Sequence, residues 1–76
     1  MATYRIQSID RAFQILEILA SSDKPLSLDE IALKSKLNRN TTYKILSSLS
    51  EWDVVRSEKY KGYSLEIFHK KDKKSR

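Results

Sequence analysis

Four side chains that can hydrogen-bond to the edges of DNA bases lie within six positions of each other: Arg39, Asn40, Tyr43 and Lys44. Arginine and lysine donate to guanine N7 and O6, and asparagine can pair with adenine through two hydrogen bonds. Tyrosine can contact a phosphate or a thymine methyl group. Each residue taken alone is better explained as a solvated surface group. Together, on one short segment, they favour a base-reading surface.

A second set of residues is suited to contacting the phosphate backbone: Thr41, Ser47, Arg56, Lys59 and Lys61. Thr41 lies where the exposed amides of a helix N-terminus can hold a phosphate. The basic residues lie in or beside a turn near the end of the chain. A turn is exposed and often charged in any case, so phosphate binding and simple solvation both stay open for them.

The charge distribution points to the same half of the chain. The net charge is +5 and the isoelectric point is near 9.6, which is in the range of nucleic-acid-binding domains. Residues 1–37 contain five basic and five acidic side chains, whereas residues 38–76 contain ten basic and five acidic ones. We therefore expect a polyanion-binding surface in the second half. The alternative is a basic surface that serves solubility alone.

Three segments show the apolar spacing that predicts amphipathic helices. The first covers residues 8–21, with Ser8 as the N-cap and Asp10 in the first turn. Ile15 lies at the edge of its predicted apolar face and Ile18 nearly opposite that face. The residues predicted to face the core are Ile9, Ala12, Phe13, Leu16, Leu19 and Ala20.

The second and third helices follow in quick succession. Ser27 and Glu30 have the spacing of a capping box, and the helix that they open ends near residues 34–36. The third helix spans residues 38–51, with Asn38 as its N-cap. Its predicted apolar stripe consists of Thr42, Ile45, Leu46, Leu49 and Trp52, and its other side carries Asn40, Tyr43, Lys44 and Ser47.

After Asp53 the apolar period changes to two, which predicts strands at residues 54–57 and 63–67 around a turn. Tyr63, Leu65 and Ile67 are expected in the core. The pattern predicts a mainly α fold with a small β-hairpin, a winged helix-turn-helix of three helices plus a two-stranded wing. We assign it to residues 1–68 and expect the basic tail, residues 69–76, to be disordered.

This fold suits double-stranded DNA. The second helix of the pair, residues 38–51, would enter the major groove. The small side chains of Ser47 and Ser48 would let it approach the bases closely. The wing, residues 56–63, would lie along the backbone or in the minor groove, where basic residues gain from the narrow-groove potential.

Four segments resemble the isocitrate-lyase-regulator (IclR) family of bacterial transcription regulators. Residues 8–19 resemble its opening helix, residues 25–32 its second helix, residues 40–49 its recognition helix and residues 63–65 the end of its wing. The resemblance implies a sequence-specific DNA-binding regulator, which we expect to be a repressor that acts in the cytoplasm at the nucleoid. It also implies a homodimer on a palindromic site.

Some features depart from the family pattern. The family usually has glycine at the positions of Lys36 and Asp53. It usually has arginine at the position of Lys44. A lysine there offers a single point charge where arginine could make a bidentate contact. Family members usually carry a larger C-terminal domain that binds an effector, so we expect no small-molecule effector site within these residues. For the dimer interface the sequence offers Ile15 and Ile18, the aliphatic residues outside the predicted core face.

Other functions fit the sequence less well. His69 is the only histidine, there is no cysteine, and the single glycine excludes a glycine-rich phosphate loop, so we expect no enzyme activity, metal site or cofactor. No apolar run approaches the roughly 18 residues that span a membrane. Two alternatives stay open. The first is a winged helix used as a protein-interaction module, which would expose apolar residues on its third helix. The second is an architectural protein that binds nucleic acid without sequence preference through its basic tail.

Overall fold

The computed structural model describes residues 4–66, which form three helices followed by an antiparallel hairpin. The mainly helical winged helix-turn-helix predicted from the sequence is confirmed. The predicted strand residue Ile67, His69 and the basic tail, residues 69–76, lie outside the described residues. The elements are α1 (Gln7–Ala20), α2 (Leu28–Ser35), α3 (Arg39–Glu51), β1 (Val55–Glu58) and β2 (Gly62–Leu65).

The start of α1 differs from the prediction of a serine cap. Ile6 occupies the N-cap position and its side chain makes no capping hydrogen bond, so the assignment of Ser8 was wrong. Asp10 lies in the first turn as predicted, and Arg5 Nε donates to its Oδ2 at 3.1 Å. A carboxylate in the first turn, together with this ion pair, takes the place of the side-chain cap.

The buried face of α1 is also rotated from the predicted one. Ile15 is fully buried and Leu19 nearly so, whereas Ile9 and Phe13 are 50 % and 61 % exposed. Ile18 is half-buried and packs against the core. Ile15 is therefore inaccessible to a second copy, and its assignment to the dimer interface was wrong, whereas Ile18 is partly accessible and its assignment stays a prediction. The physical reason is that the apolar residues of α1 extend further round the helix than one face, and Ile15 and Ile18 pack inside the domain together with Leu16 and Leu19.

The capping box of α2 is confirmed. The Glu30 amide donates to Ser27 Oγ at 3.1 Å, and the Ser27 amide donates to Glu30 Oε1 at 2.8 Å. Lys36 is the C-cap of the helix, and its φ of 62° lies in the left-handed region. This geometry lets the Leu37 amide donate to the Ala32 carbonyl at 3.1 Å. A non-glycine residue there carries backbone strain, as expected for a lysine at a glycine position.

The predicted N-cap of α3 is confirmed as well. Asn38 Oδ1 accepts from the Thr41 amide at 2.8 Å, and the Thr42 hydroxyl donates to the Asn38 carbonyl at 2.9 Å. Thr42 and Leu46 are fully buried, and the half-buried Ile45 and Leu49 pack against the core.

Trp52 does not continue the buried stripe of α3. It is 75 % exposed, so its assignment to the core was wrong. Trp52 is the C-cap of the helix, and Asp53, with a φ of 62°, turns the chain directly after it. Val55, 3 % exposed, belongs to the core just after this turn.

The wing is joined to the rest of the domain by a bridge that the sequence did not predict. The Leu26 amide donates to the Tyr63 carbonyl at 3.0 Å, and the Tyr63 amide donates to the Leu26 carbonyl at 2.7 Å. Gly62, with a φ of 116°, packs so closely that a Cβ there would lie 2.3 Å from the Leu26 carbonyl oxygen. The turn end of the wing, where Gly62 pairs with Glu58, is therefore fixed against the loop between α1 and α2.

Candidate nucleic-acid interface

The exposed side of α3 carries three of the four predicted base-reading residues. Asn40, Tyr43 and Lys44 are all exposed, and their three- and four-residue spacing puts them on one face of the helix. Thr42 and Leu46, fully buried on the opposite side, hold that face outward. Ser48 is exposed, but Ser47 is only half-exposed, so the predicted phosphate contact from Ser47 is less accessible than expected.

Arg39 has a partner that sequence analysis missed. Its Nε donates to Asp29 Oδ1 at 2.5 Å, and both side chains are about two-thirds exposed or more. A guanidinium has five N–H donors, of which this hydrogen bond uses one. Arg39 can therefore still reach a base edge, but a carboxylate of α2 accompanies it. No sequence signal could have found this pair, because the two residues lie on different helices.

The N-terminus of α3 offers less to a phosphate than the sequence suggested. The amide of Thr41 is taken by the side chain of Asn38, so that amide cannot also donate to a ligand. Thr41 itself is half-exposed. A phosphate contact from Thr41 consequently depends on its hydroxyl.

The wing divides into a basic tip and a neutralised base. Lys59 and Lys61 are exposed in the turn. Arg56, by contrast, has Nε 3.5 Å from Glu58 Oε2 and 3.5 Å from Glu66 Oε1. Two carboxylates beside one guanidinium reduce its attraction for a phosphate, so the tip is the stronger candidate for backbone contact.

One tyrosine of the wing has a raised pKa. Burial raises the pKa of the Tyr63 hydroxyl, and the neighbouring Tyr43 hydroxyl raises it further. Tyr63 belongs to β2 and Tyr43 to the exposed face of α3. A side chain on the exposed face of α3 therefore affects the pKa of a residue in the wing.

Within residues 4–66, no three or more His, Cys, Asp or Glu side chains come together as a metal site requires. In the same described part of the chain, no helix is long and apolar enough to cross a membrane.

The comparisons with known proteins point to transcription regulators. The family model of the IclR helix-turn-helix domain matches residues 8–59, more than half of the chain. The probable transcriptional regulator SauR of Cupriavidus necator is 44 % identical over 54 residues, which cover 70 % of this chain and 21 % of that protein. The transcriptional repressor IclR of Escherichia coli is 33 % identical over 55 residues, which cover 72 % of this chain and 20 % of that protein. The chain thus spans about a fifth of the length of these relatives.

Proposed function

Because this chain belongs to the IclR helix-turn-helix family of DNA-binding transcription regulators, we propose that it binds a specific double-stranded DNA sequence with α3 in the major groove. The observation that carries this proposal is the exposed face formed by Asn40, Tyr43 and Lys44, opposite the buried Thr42 and Leu46. The family is one of regulators and not of enzymes.

The chemistry of that face favours base reading. Asn40 presents a donor and an acceptor side by side, which matches the N6 and N7 edge of adenine, and the Lys44 ammonium can donate to guanine. Ser48, one turn further along and exposed, is small enough not to hold the helix away from the groove floor. Arg39 adds guanidinium donors at the start of the helix, beside Asp29.

The phosphate contacts are proposed for the remaining polar residues of the site. Lys59 and Lys61 at the wing tip would meet the backbone or the minor groove, with Thr41 and Ser47 supporting α3 on neighbouring phosphates. Arg56 would contribute less, because it lies between two carboxylates.

Repression is the mode of regulation that we propose, since one relative is named a transcriptional repressor. Its physical basis would be occupancy of a promoter site. We propose that the domain acts in the cytoplasm, on the DNA of the nucleoid.

We further propose a homodimer, with the outer face of α1 as its interface in place of Ile15. Ile9 and Phe13 are exposed on this face, one turn apart on α1. Exposed contiguous apolar surface of this kind marks interaction sites.

The charges beside this face fit a second copy of the chain. In an antiparallel crossing of two α1 helices, Ile9 of one copy can lie against Phe13 of the second. The same crossing brings Arg5, which precedes α1 and donates to Asp10 of its own copy, alongside Glu17 of the second copy, because both pairs have residue 11 as their midpoint. A two-fold interface of this type is self-complementary.

Selection of bound sequences from a random double-stranded DNA pool tests the proposal. We expect an enriched palindrome with half-sites about 10 base pairs apart, or a multiple of that spacing. The Asn40→Ala variant, selected in parallel, should lose preference at one position of each half-site. A pool without enrichment would contradict sequence-specific binding, and an enriched single half-site would contradict the dimer.

A further inference from the structure

Tyr60 is the third residue of the turn at the tip of the wing, which the Lys61 amide closes by donating to the Glu58 carbonyl at 3.0 Å. Its side chain is 98 % exposed, so the phenol ring contributes nothing to the core. Its φ is 67°, in the left-handed region. Glycine or asparagine would occupy this position with less strain. A bulky, strained and exposed residue at a turn tip suggests a role for the side chain outside the fold.

The surroundings of Tyr60 are those of a nucleic-acid contact. Lys59 and Lys61 flank it, and the Lys59 ammonium lies 5.8 Å from the centre of the tyrosine ring. The nearest carboxylate of the hairpin, Glu58, is directed toward Arg56 at 3.5 Å. The tip therefore combines an aromatic ring with two positive charges.

The tip also adjoins a part of the wing that is fixed against the domain. The two hydrogen bonds between Leu26 and Tyr63 and the close packing of Gly62 on the Leu26 carbonyl hold the start of β2 against the domain. Gly62 follows Tyr60 by two positions, so the ring is attached to a segment with little freedom to move. A backbone segment held in this way loses less conformational entropy on binding.

We propose that the wing tip enters the DNA minor groove, with the Tyr60 ring packed between the deoxyribose walls and with Lys59 and Lys61 on the phosphates to either side. The proposal rests on the DNA-binding function proposed above. The minor groove is about 6 Å wide, which admits a phenol ring edge-on. Its narrowing at A·T-rich sequence increases both contact with the ring and attraction for the lysines. The wing would thereby select A·T pairs outside the sequence that α3 reads.

Two Tyr60 variants separate the ring from the backbone strain. Tyr60→Asn keeps a residue that tolerates the left-handed conformation, so its thermal midpoint should equal or exceed that of the wild type. Its affinity for the selected DNA site should nevertheless fall about tenfold. Tyr60→Phe keeps the ring and should bind within about twofold of the wild type. A variant that is at least as stable yet binds less well cannot be explained by a structural role.

Base-pair substitutions in the flanks of the site identify the groove. Inosine·cytosine resembles A·T in the minor groove, because it lacks the guanine N2 amino group, whereas its major-groove edge resembles G·C. We expect wild-type affinity to be retained with I·C pairs in the flanks, to fall with G·C pairs, and to become insensitive to this change in Tyr60→Asn.

Three results would overturn the wing proposal: unchanged affinity in Tyr60→Asn, an equal loss in Tyr60→Phe, or equal binding to I·C and G·C flanks. The base preference within the half-sites depends on α3 and not on the wing. If that preference persisted alongside one of these results, only the wing proposal would have failed. If the wild type preferred no sequence, the sequence-specific function would fail instead. Tyr60→Asn should then still weaken binding to random duplexes, because the deoxyribose walls are common to every sequence.

Discussion

Arg39 Nε donates a hydrogen bond to Asp29 Oδ1 at 2.5 Å and so joins the first residue of α3 to the first turn of α2. This pair places a carboxylate beside the helix end that is proposed to meet DNA. Both side chains are mostly exposed, and ion pairs of this kind contribute little to stability. The consequence of the pair should therefore be seen in DNA binding and not in folding.

We expect Asp29→Asn to raise affinity for random DNA several-fold while it changes the free energy of unfolding very little. Removing the carboxylate leaves Arg39 free for phosphates and removes a repulsive charge, so the dependence of affinity on salt should steepen by about one phosphate contact. Fluorescence anisotropy across a salt series measures this effect. Asp23→Asn, which changes the same charge in the loop between α1 and α2, is the matched control and should alter binding less. Equal changes in both variants would argue against a specific role for Asp29.

Substitutions on α3 and on the wing should have different consequences. Asn40→Ala or Lys44→Ala should lower the ratio of specific to random binding by about tenfold, because each removes a contact to a base edge. Lys59→Ala or Lys61→Ala should weaken binding to both DNAs by similar factors, because phosphates are alike in every sequence. Competition binding with selected and random duplexes distinguishes the two classes. Equal losses on both DNAs in all four variants would count against base reading by α3.

Phe13 and Ile15 should respond in opposite ways to truncation. Phe13→Ser alters a side chain that is 61 % exposed, so the fold should persist while dimers on the palindromic site are lost. Ile15→Ala removes a fully buried side chain and should cost about 2–5 kcal/mol of stability. Sedimentation with and without DNA, combined with denaturant unfolding, gives both quantities. A Phe13→Ser protein that still bound as a dimer would remove α1 as the interface.

Gly62→Ala should destabilise the wing. Its φ of 116° disfavours any side chain, and the new Cβ would lie 2.3 Å from the Leu26 carbonyl oxygen. Strain and steric overlap together suggest a cost of about 2–4 kcal/mol. Ser57→Ala, at an exposed position in the same hairpin, should change stability by no more than about 0.5 kcal/mol. Urea unfolding of both variants makes the comparison, and a stable Gly62→Ala protein would show that the close approach to Leu26 is dispensable.

The parts of the fold that follow from local chemistry were predictable from the sequence. The capping box of Ser27 and Glu30 and the cap at Asn38 depend on residues three positions apart, and both formed as predicted. The exposed position of Asn40, Tyr43 and Lys44 followed from the helical period of α3.

The parts that depend on packing between elements could not be predicted in this way. Spacing alone does not determine which of the many apolar residues on α1 are buried, and tertiary contact buried Ile15 while it left Ile9 and Phe13 exposed. Trp52 continues the apolar spacing of α3, but the chain turns away at Asp53 before the indole can enter the core. The Arg39–Asp29 pair joins two helices, so no periodicity within either of them could reveal it.

The bridge between Leu26 and Tyr63 has a consequence for the order of folding. Its partners lie 37 positions apart in the chain, so forming it closes a long loop, which costs entropy that local helix contacts do not. We therefore expect the helices to assemble first and the wing to dock last. In a partly folded chain α3 would already be present while the tip that carries Tyr60 had not yet acquired its fixed position. Complete DNA contact would then be the final property that the domain gains as it folds, and the first that it loses as it begins to unfold.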